Sequence, residues 1–583
     1  MEICNELSFG VLDSGYLNLK VRMKKVPAIL TIKLFSMKVA LAQLNYTIGD
    51  FEGNKRKIIS GIEKARNEGA DLVVFSELSV TGYYPHDLLE KKEFIQKAEA
   101  VVNEIAGSCR GIAAIIGAPR INTNERGKQL FNAAFFMADG RVQYIQDKTL
   151  LPTYDIFDEY RHFEPNRRFG IATCKGERFA ITICEDLWDE LPTESEFGKD
   201  KLYQVSPMEE LAKLKPDFVV NLSASPFSYN QEEWRQNVLV SKAKKYNVPI
   251  LYVNQVGAHT ELIFDGGSVF INEKGLIVSE LKYFEEDFRI IDTKSENTEQ
   301  LQPETDTIEK IYNALILGIQ DYFRKMGFKK ATLGLSGGID SAITLVIAER
   351  ALGAENLRVL LMPSKYSSGH SVADAVQLAE NLNIRYDVVP IQEPVDAFEK
   401  TLSPLFEGTH PDITEENIQA RARGIFLMAI SNKFGHILLN TTNKSECAVG
   451  YGTLYGDMNG GLAVLGDVYK TDIFKMARWI NRENEIIPEN TILKPPSAEL
   501  RPNQKDTDSL PDYPVLDGIL FRYIELNLSP AEIVADGYDP AVVNRVIKMV
   551  NTNEYKRFQA APILRVSSKA FGFGRKMPLV ARY

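Results

Sequence analysis

Short apolar, β-branched runs recur along residues 37–292, separated by stretches in which apolar positions return every three or four residues. The runs lie at 39–42, 72–75, 113–117, 179–183, 218–221 and 250–253. They are continuous rather than alternating, which predicts strands covered on both faces. Between the first two, Ile58, Ile59, Ile62 and Ala65 share one face of a helix whose other face is Lys, Arg and Glu. The first half is therefore expected to be a layered α/β domain. From 307 to 583 the alternation resumes, with strands at 331–335, 357–361, 386–389 and 436–440 and helices at 371–382 and 416–434. A further helix is predicted from the Ser336–Ser341 turn to about 351, completing a doubly wound parallel sheet. The segment 293–306 has almost nothing to bury and reads as a linker. Two Pro-containing polar stretches, 189–207 and 494–515, read as loops.

Length supports this division, because 583 residues exceed what one hydrophobic core can organise. The expected plan is an extension over 1–36, a first domain over 37–292, the linker over 293–306 and a second domain over 307–583. Strong strand patterning begins at Met37, so Met37 is the expected start and 1–36 an upstream extension, a genuine N-terminal arm being the alternative. A formal net charge of -10 argues against nucleic-acid and membrane-surface partners. The five cysteines are scattered without a CxxC pair, so neither a disulfide framework nor a structural zinc site is indicated, and a reducing cytoplasm fits.

Three candidate groups stand at strand ends, where open α/β sheets place their chemistry: Glu77, Lys148 and Cys184. Amide hydrolysis needs a nucleophile, a base for its proton and a cation or donor for the oxyanion. A thiol, a carboxylate and an ammonium meet that need. Singly each is weak, since a buried cysteine is more often inert packing and a lone Glu or Lys a solvated surface group. Their contexts are FSELSVTGYYP at 75–85, KTLLPTYDIFDEYRHF at 148–163 and ICEDLW at 183–188, and together these resemble the glutamine amidohydrolase branch of the carbon–nitrogen hydrolase (nitrilase) superfamily. The resemblance implies an α-β-β-α sandwich, Cys184 as nucleophile, Glu77 as general base, Lys148 as oxyanion stabiliser and Glu159 as the supporting glutamate. It also implies glutamine contacts from Tyr154 and from Ser225 in NLSASPF at 221–227. Gln231 stands where many such members carry a basic residue in contact with glutamine.

The second candidate site is Gly334, Leu335, Ser336, Gly337, Gly338, Ile339, Asp340 and Ser341, between a predicted strand and helix. Small residues let backbone wrap a phosphate, and the helix N-terminus directs N–H groups at it. No Gly-Lys-Ser/Thr ending follows, so this is not a Walker A loop. It resembles the PP-loop of ATP pyrophosphatases. MPSKYSSGHS at 362–371, ENIQARAR at 416–423, NTTNKSE at 440–446, GYGTLYGD at 450–457 and KPPSAEL at 494–500 narrow the likeness to NAD synthetases. NEYKR at 553–557 and FGFGRKMPLVARY at 571–583 resemble the glutamine-dependent form. The resemblance implies ATP contacts from residues 334–341, Thr441, Lys470 and Ser497, and Mg²⁺ on Asp340 and Glu446. Asn417, Arg421, Glu446 and Lys556 would contact deamido-NAD⁺. Short, ammonia-dependent synthetases have Lys and Asp where this chain has Leu454 and Gly461.

The two resemblances together imply glutamine-dependent NAD⁺ synthesis in the cytoplasm, with glutamine, deamido-NAD⁺ and ATP as substrates. They imply Mg²⁺ as the metal, no prosthetic group, a shielded path for ammonia and a homo-oligomer, an octamer being common. Two rivals exist. Other PP-loop amidotransferases resemble different glutaminase folds, which the Glu77–Lys148–Cys184 set disfavours. A catalytically dead nucleotide-binding scaffold would carry broken catalytic positions, and none is broken.

Overall fold

Continuous apolar strands need cover on both faces, and the chain supplies it with stacked layers. The computed structural model describes residues 36–190, 202–298 and 301–581. The expected N-terminal extension and the centre of the 189–207 loop lie outside the described residues. In the first half, one six-stranded sheet runs in the order Asp287–Asp292, Lys38–Gln43, Leu72–Val74, Ala113–Ile121, Leu130–Ala138, Arg141–Asp147. The other runs Ile277–Glu280, Val269–Ile271, Ile250–Asn254, Phe218–Ser223, Glu177–Ile183, Ala172–Cys174. Each has parallel strands at its centre and antiparallel strands outside.

Their inner faces share one core, built from Leu41, Val74, Ile115 and Phe136 against Ile181, Val220, Val253 and Phe270. Helices Phe51–Asn67 and Lys92–Ser108 cover the first sheet with Ile58, Ile62, Val101 and Ile105. Helix Gln231–Tyr246 covers the second with Leu239 and Ala243. This is the α-β-β-α sandwich. Each buried aliphatic side chain contributes about 1.5–3 kcal/mol relative to exposure, so register is strongly held. Several antiparallel strands, among them Leu130–Ala138 and Val256–His259, add to the six runs read from sequence.

The second half is built on a five-stranded sheet, ordered Arg385–Val388, Leu357–Leu361, Ala331–Gly334, Ile437–Asn440, Leu462–Ala463, all parallel. Successive side chains explain its double cover. Val359 and Leu361 join the core formed with helices Thr307–Met326 and Ile339–Leu352. Leu360 and Met362 face Gln392–Leu402 and Ile413–Phe434. The last helix starts ahead of its apolar pattern because Asp412 and Glu415 form a capping box there. The 494–515 stretch contains a short turn of helix, Asp506–Asp508, and the start of helix Tyr513–Ile524.

The halves share a core. Phe227, Val256, Ala258 and Ile263 of the first pack with Leu315 and Ile319 of the second. Gly318 permits the approach of Leu564, whose Cδ1 would lie 2.8 Å from an added Cβ.

Candidate active sites

Strand Glu177–Ile183 ends at Cys184, which adopts a left-handed φ of 42° as the chain turns into the short helix Cys184–Leu187. A non-glycine residue held there is strained, and such strain concentrates at functional sites. The turn is pinned by Asp186, whose carboxylate accepts the N–H groups of Thr149 (2.9 Å), Leu150 (2.8 Å) and Ile183 (3.0 Å). The loop that follows Lys148 is thereby tied to the loop that carries the thiol.

Lys148, Glu77 and Glu159 have no solvent exposure, and Cys184 has 6%. The Lys148 ammonium lies 2.7 Å from Glu77 Oε1 and 2.8 Å from Glu159 Oε1. Glu77 also accepts from the Asn132 amide (2.7 Å) and from Ala224 N–H (3.1 Å), and Glu159 accepts from the Tyr83 hydroxyl (2.7 Å). One cation between two buried carboxylates leaves the cluster anionic when both are ionised. Burial, the neighbouring Lys148 opposing it, therefore raises Glu159 above its ordinary range. Burial and Glu77 push the Cys184 thiol far up, so a base must take its proton before it can act as a thiolate. Beside it Glu185 accepts the hydroxyls of Tyr154 (2.9 Å) and Tyr203 (2.8 Å), and its carboxyl is raised by burial.

At the second site Ser336, Gly337 and Gly338 carry strand Ala331–Gly334 into helix Ile339–Leu352. Gly337 has φ +80°, and a Cβ there would stand 2.1 Å from Ser371 O, so glycine is required. The helix begins at Gly338 without a side-chain cap, leaving first-turn N–H groups for an anion. Ser341 Oγ returns to Gly338 O at 3.0 Å and lies 3.2 Å from Ser336 Oγ, which holds the turn closed. Asp340 accepts from Lys470 Nζ (2.5 Å) and from the Asn443 amide (2.9 Å). The same ammonium lies 3.5 Å from Glu446. Burial and Asp340 push the Glu446 carboxyl up to about 8.

Models of two families match in order: carbon-nitrogen hydrolase over residues 38–302 and NAD synthase over 311–560. The glutamine-dependent NAD(+) synthetase of Synechocystis is 45% identical over 555 residues, covering 94% of this chain and 99% of that protein. The chain belongs to the glutamine-dependent NAD(+) synthetase family. Its Thermotoga maritima member is 40% identical over 589 residues, with 94% and 99% covered. The solved structure of the Acinetobacter baumannii member, in complex with ADP, is 39% identical with a TM-score of 0.74, again over 94% and 99%.

Within this family member the residues singled out from sequence fall into three groups. Glu77, Lys148, Glu159 and Cys184 converge, and Tyr154 reaches them through Glu185. Ser225 is buried, with its N–H on Asn254 Oδ1 at 2.9 Å, and Asn254 is held by Asp265, which pairs with the buried Arg235. Gln231 opens helix Gln231–Tyr246, and its side chain makes no hydrogen bond among the described residues. Asp340, Glu446 and Lys470 converge on one another, and Thr441 leaves the strand next to the PP-loop strand. Ser497 instead spends its hydroxyl on Gln504 O at 2.6 Å, while Glu499 accepts from Ser368 (2.7 Å) and Ser371 (2.8 Å).

Asn417, Arg421 and Lys556 meet around the turn after Glu446. Asn417 accepts from Thr453 (2.7 Å), Arg421 donates to Leu454 O (3.3 Å), and Lys556 donates to Gly450 O and Gly452 O (2.8 Å each). Asn132, Glu185, Tyr203 and Asn443 were not singled out from sequence. Asn443 had a legible signal, since Asn443 and Glu446 have capping-box spacing and do form the box. Asn132 and Tyr203 had none, because their partners are remote in the chain.

The oxygen donors of Asp340 and Glu446 suit a hard divalent cation. That they already converge on the single Lys470 ammonium supports the fit. A further grouping, Asp87, Glu90 and His162, is largely exposed, and Arg161 already lies 3.0 Å from Asp87. Among the described residues no helix is long and apolar enough to cross a membrane.

Proposed function

We propose that this chain makes NAD⁺ from deamido-NAD⁺, using ATP and an ammonia that it cuts from glutamine at a second site. A glutaminase domain over 37–292, a linker over 293–306 and a synthetase domain over 307–583 divide the work. The observation that carries the reading is the pairing, in one chain, of the Glu77–Lys148–Glu159 cluster at Cys184 with a PP-loop whose Asp340 faces Glu446 across Lys470.

Cys184 Sγ attacks the glutamine amide carbon while Glu77 takes the thiol proton. Lys148 balances the oxyanion, and Glu77 returns the proton to the departing nitrogen. Water then hydrolyses the thioester to glutamate and restores the thiol. Tyr154, Ser225 and Gln231 are assigned to glutamine, and Glu185 to its α-ammonium, the one cationic group of that substrate. At the second site the nicotinate carboxylate attacks the α-phosphorus of ATP and pyrophosphate leaves. Ammonia then displaces AMP from the acyl adenylate. Residues 334–341 with Lys470, Thr441 and Ser497 are assigned to ATP, and Asn417, Arg421, Glu446 and Lys556 to deamido-NAD⁺. Mg²⁺ held by Asp340 and Glu446 would offset phosphate charge in the first step. The family's cytoplasmic setting and homo-oligomeric assembly are carried over with this reading.

The test is product analysis with ATP, Mg²⁺, deamido-NAD⁺ and glutamine labelled with ¹⁵N in its amide. Labelled NAD⁺ with matching AMP and pyrophosphate is expected, whereas glutamate without NAD⁺ would remove the acceptor assignment. Cys184→Ala should lower glutamine-supported synthesis by at least about 10³-fold and spare ammonia-supported synthesis. Equal loss of both refutes separate sites.

A further inference from the structure

The N-terminal edge of the five-stranded sheet lies opposite the end that carries the PP-loop, and it gathers bases. Lys330 precedes strand Ala331–Gly334, Arg358 lies in Leu357–Leu361, Arg385 opens Arg385–Val388 and His436 precedes Ile437–Asn440. These are four adjacent strands, so each contributes one basic side chain to the same edge. Arg358 and Arg385 are direct register partners, a like-charge pairing that costs stability unless something offsets it.

The intramolecular offsets are incomplete. Arg358 donates to Asp387 at 2.6 Å and lies over the Phe434 ring at 4.9 Å. Lys330 and Arg385 have no carboxylate within 4.0 Å among the described residues. These groups line a cavity of about 370 Å³, in which Glu355 is the one acidic lining residue. His436, 7% exposed, also lines it, and its Nδ1 is buried without a hydrogen-bond partner. Burial and the surrounding Lys330, Arg358 and Arg385 hold its imidazole below the usual range, as expected where positive charge lacks a counter-ion.

We propose that this edge cavity is a binding site for a phosphoryl anion, with Lys330, Arg358 and Arg385 as its cations and the His436 ring beside them as a reporter of its occupancy. The cavity falls within the size range of small-molecule pockets and exceeds a bare phosphate. The half-exposed Phe434 ring beside the cations offers apolar surface to an attached organic group. Strand ends at this edge carry none of the groups assigned to either reaction, so the site is separate from both.

The experiment follows the ring signals of histidine-labelled full-length protein, which has six histidines. The His436 signal is identified by its absence in His436→Gln. Inorganic phosphate and ribose 5-phosphate are titrated in turn. The His436 signal should move saturably in the wild type, and the shift should fall at least about tenfold in Lys330→Gln/Arg385→Gln, the cost of losing a charge-assisted contact. Removing equal charge elsewhere, in Lys92→Gln/Lys97→Gln, should leave it intact. A lower midpoint for the phosphosugar identifies an organic phosphate as occupant, and equal midpoints identify free phosphate; either supports the site. No movement of His436, or movement that survives Lys330→Gln/Arg385→Gln, overturns it.

Discussion

The Tyr229 hydroxyl donates to Glu525 Oε2 at 2.9 Å and so ties the two halves of the chain together. Glu525 Oε1 accepts from the buried Lys444 ammonium at 2.8 Å. The neighbouring Asn443 amide touches Asp340 of the PP-loop. On the other side, Tyr229 belongs to the same loop as Ser225 and as Ala224, whose N–H reaches Glu77. A chain of hydrogen bonds and adjoining backbone thus links the two sites. Tyr229→Phe deletes one hydroxyl from it. Glutamine-supported synthesis should fall by roughly 10-fold to 100-fold, the size of one hydrogen bond to a charged group, with ammonia-supported synthesis unchanged. Parallel loss of both rates would show a structural role only.

Glu185→Gln tests the assigned α-ammonium contact. The tyrosine hydroxyls can still donate to the amide oxygen, but the negative charge is gone. The glutamine KM should rise roughly 10–100-fold while ammonia-supported kcat stays constant. An unchanged KM removes the assignment.

Lys148→Met leaves Glu77 and Glu159 buried together without their cation. Breaking such a group costs about 3–5 kcal/mol, to be read from urea unfolding. Lys148→Met/Glu159→Gln should recover part of that loss, though not glutaminase activity. A double variant no more stable than the single one would mean that charge is not the cause.

Glu261 sits where the Val256–Asp265 hairpin meets the C-terminal segment, and burial pushes its carboxyl up to about 7. Its ordinary value is 4.5. Between those values the folded chain holds a proton that the unfolded chain has lost. This group's contribution to stability therefore declines as pH rises through that window. Thermal unfolding at both ends of the window should show a smaller decline in Glu261→Gln than in the wild type. Identical slopes would exclude Glu261 as the source.

The local signals along the chain decided much on their own. Six apolar runs became central strands, and glycine and serine spacing marked the turn from strand Ala331–Gly334 into helix Ile339–Leu352, because both depend on contacts between near neighbours. Cys184, Glu77 and Lys148 were legible as strand-end residues in recognisable contexts. Pairing across distance was not legible. Strand Leu130–Ala138 reads as apolar whether helical or extended, and only its antiparallel partner Ala113–Ile121 settles it. Asn132 gains meaning from Glu77, Tyr203 from Glu185, and Tyr229 from Glu525, each through a hydrogen bond between remote residues. Ser497 shows the reverse, since its hydroxyl turns into its own loop. Sequence alone thus determined the elements and the chemistry available to them, because propensity and periodicity are local. Tertiary structure decided which side chains meet, because burial and hydrogen bonding are satisfied by the whole chain at once.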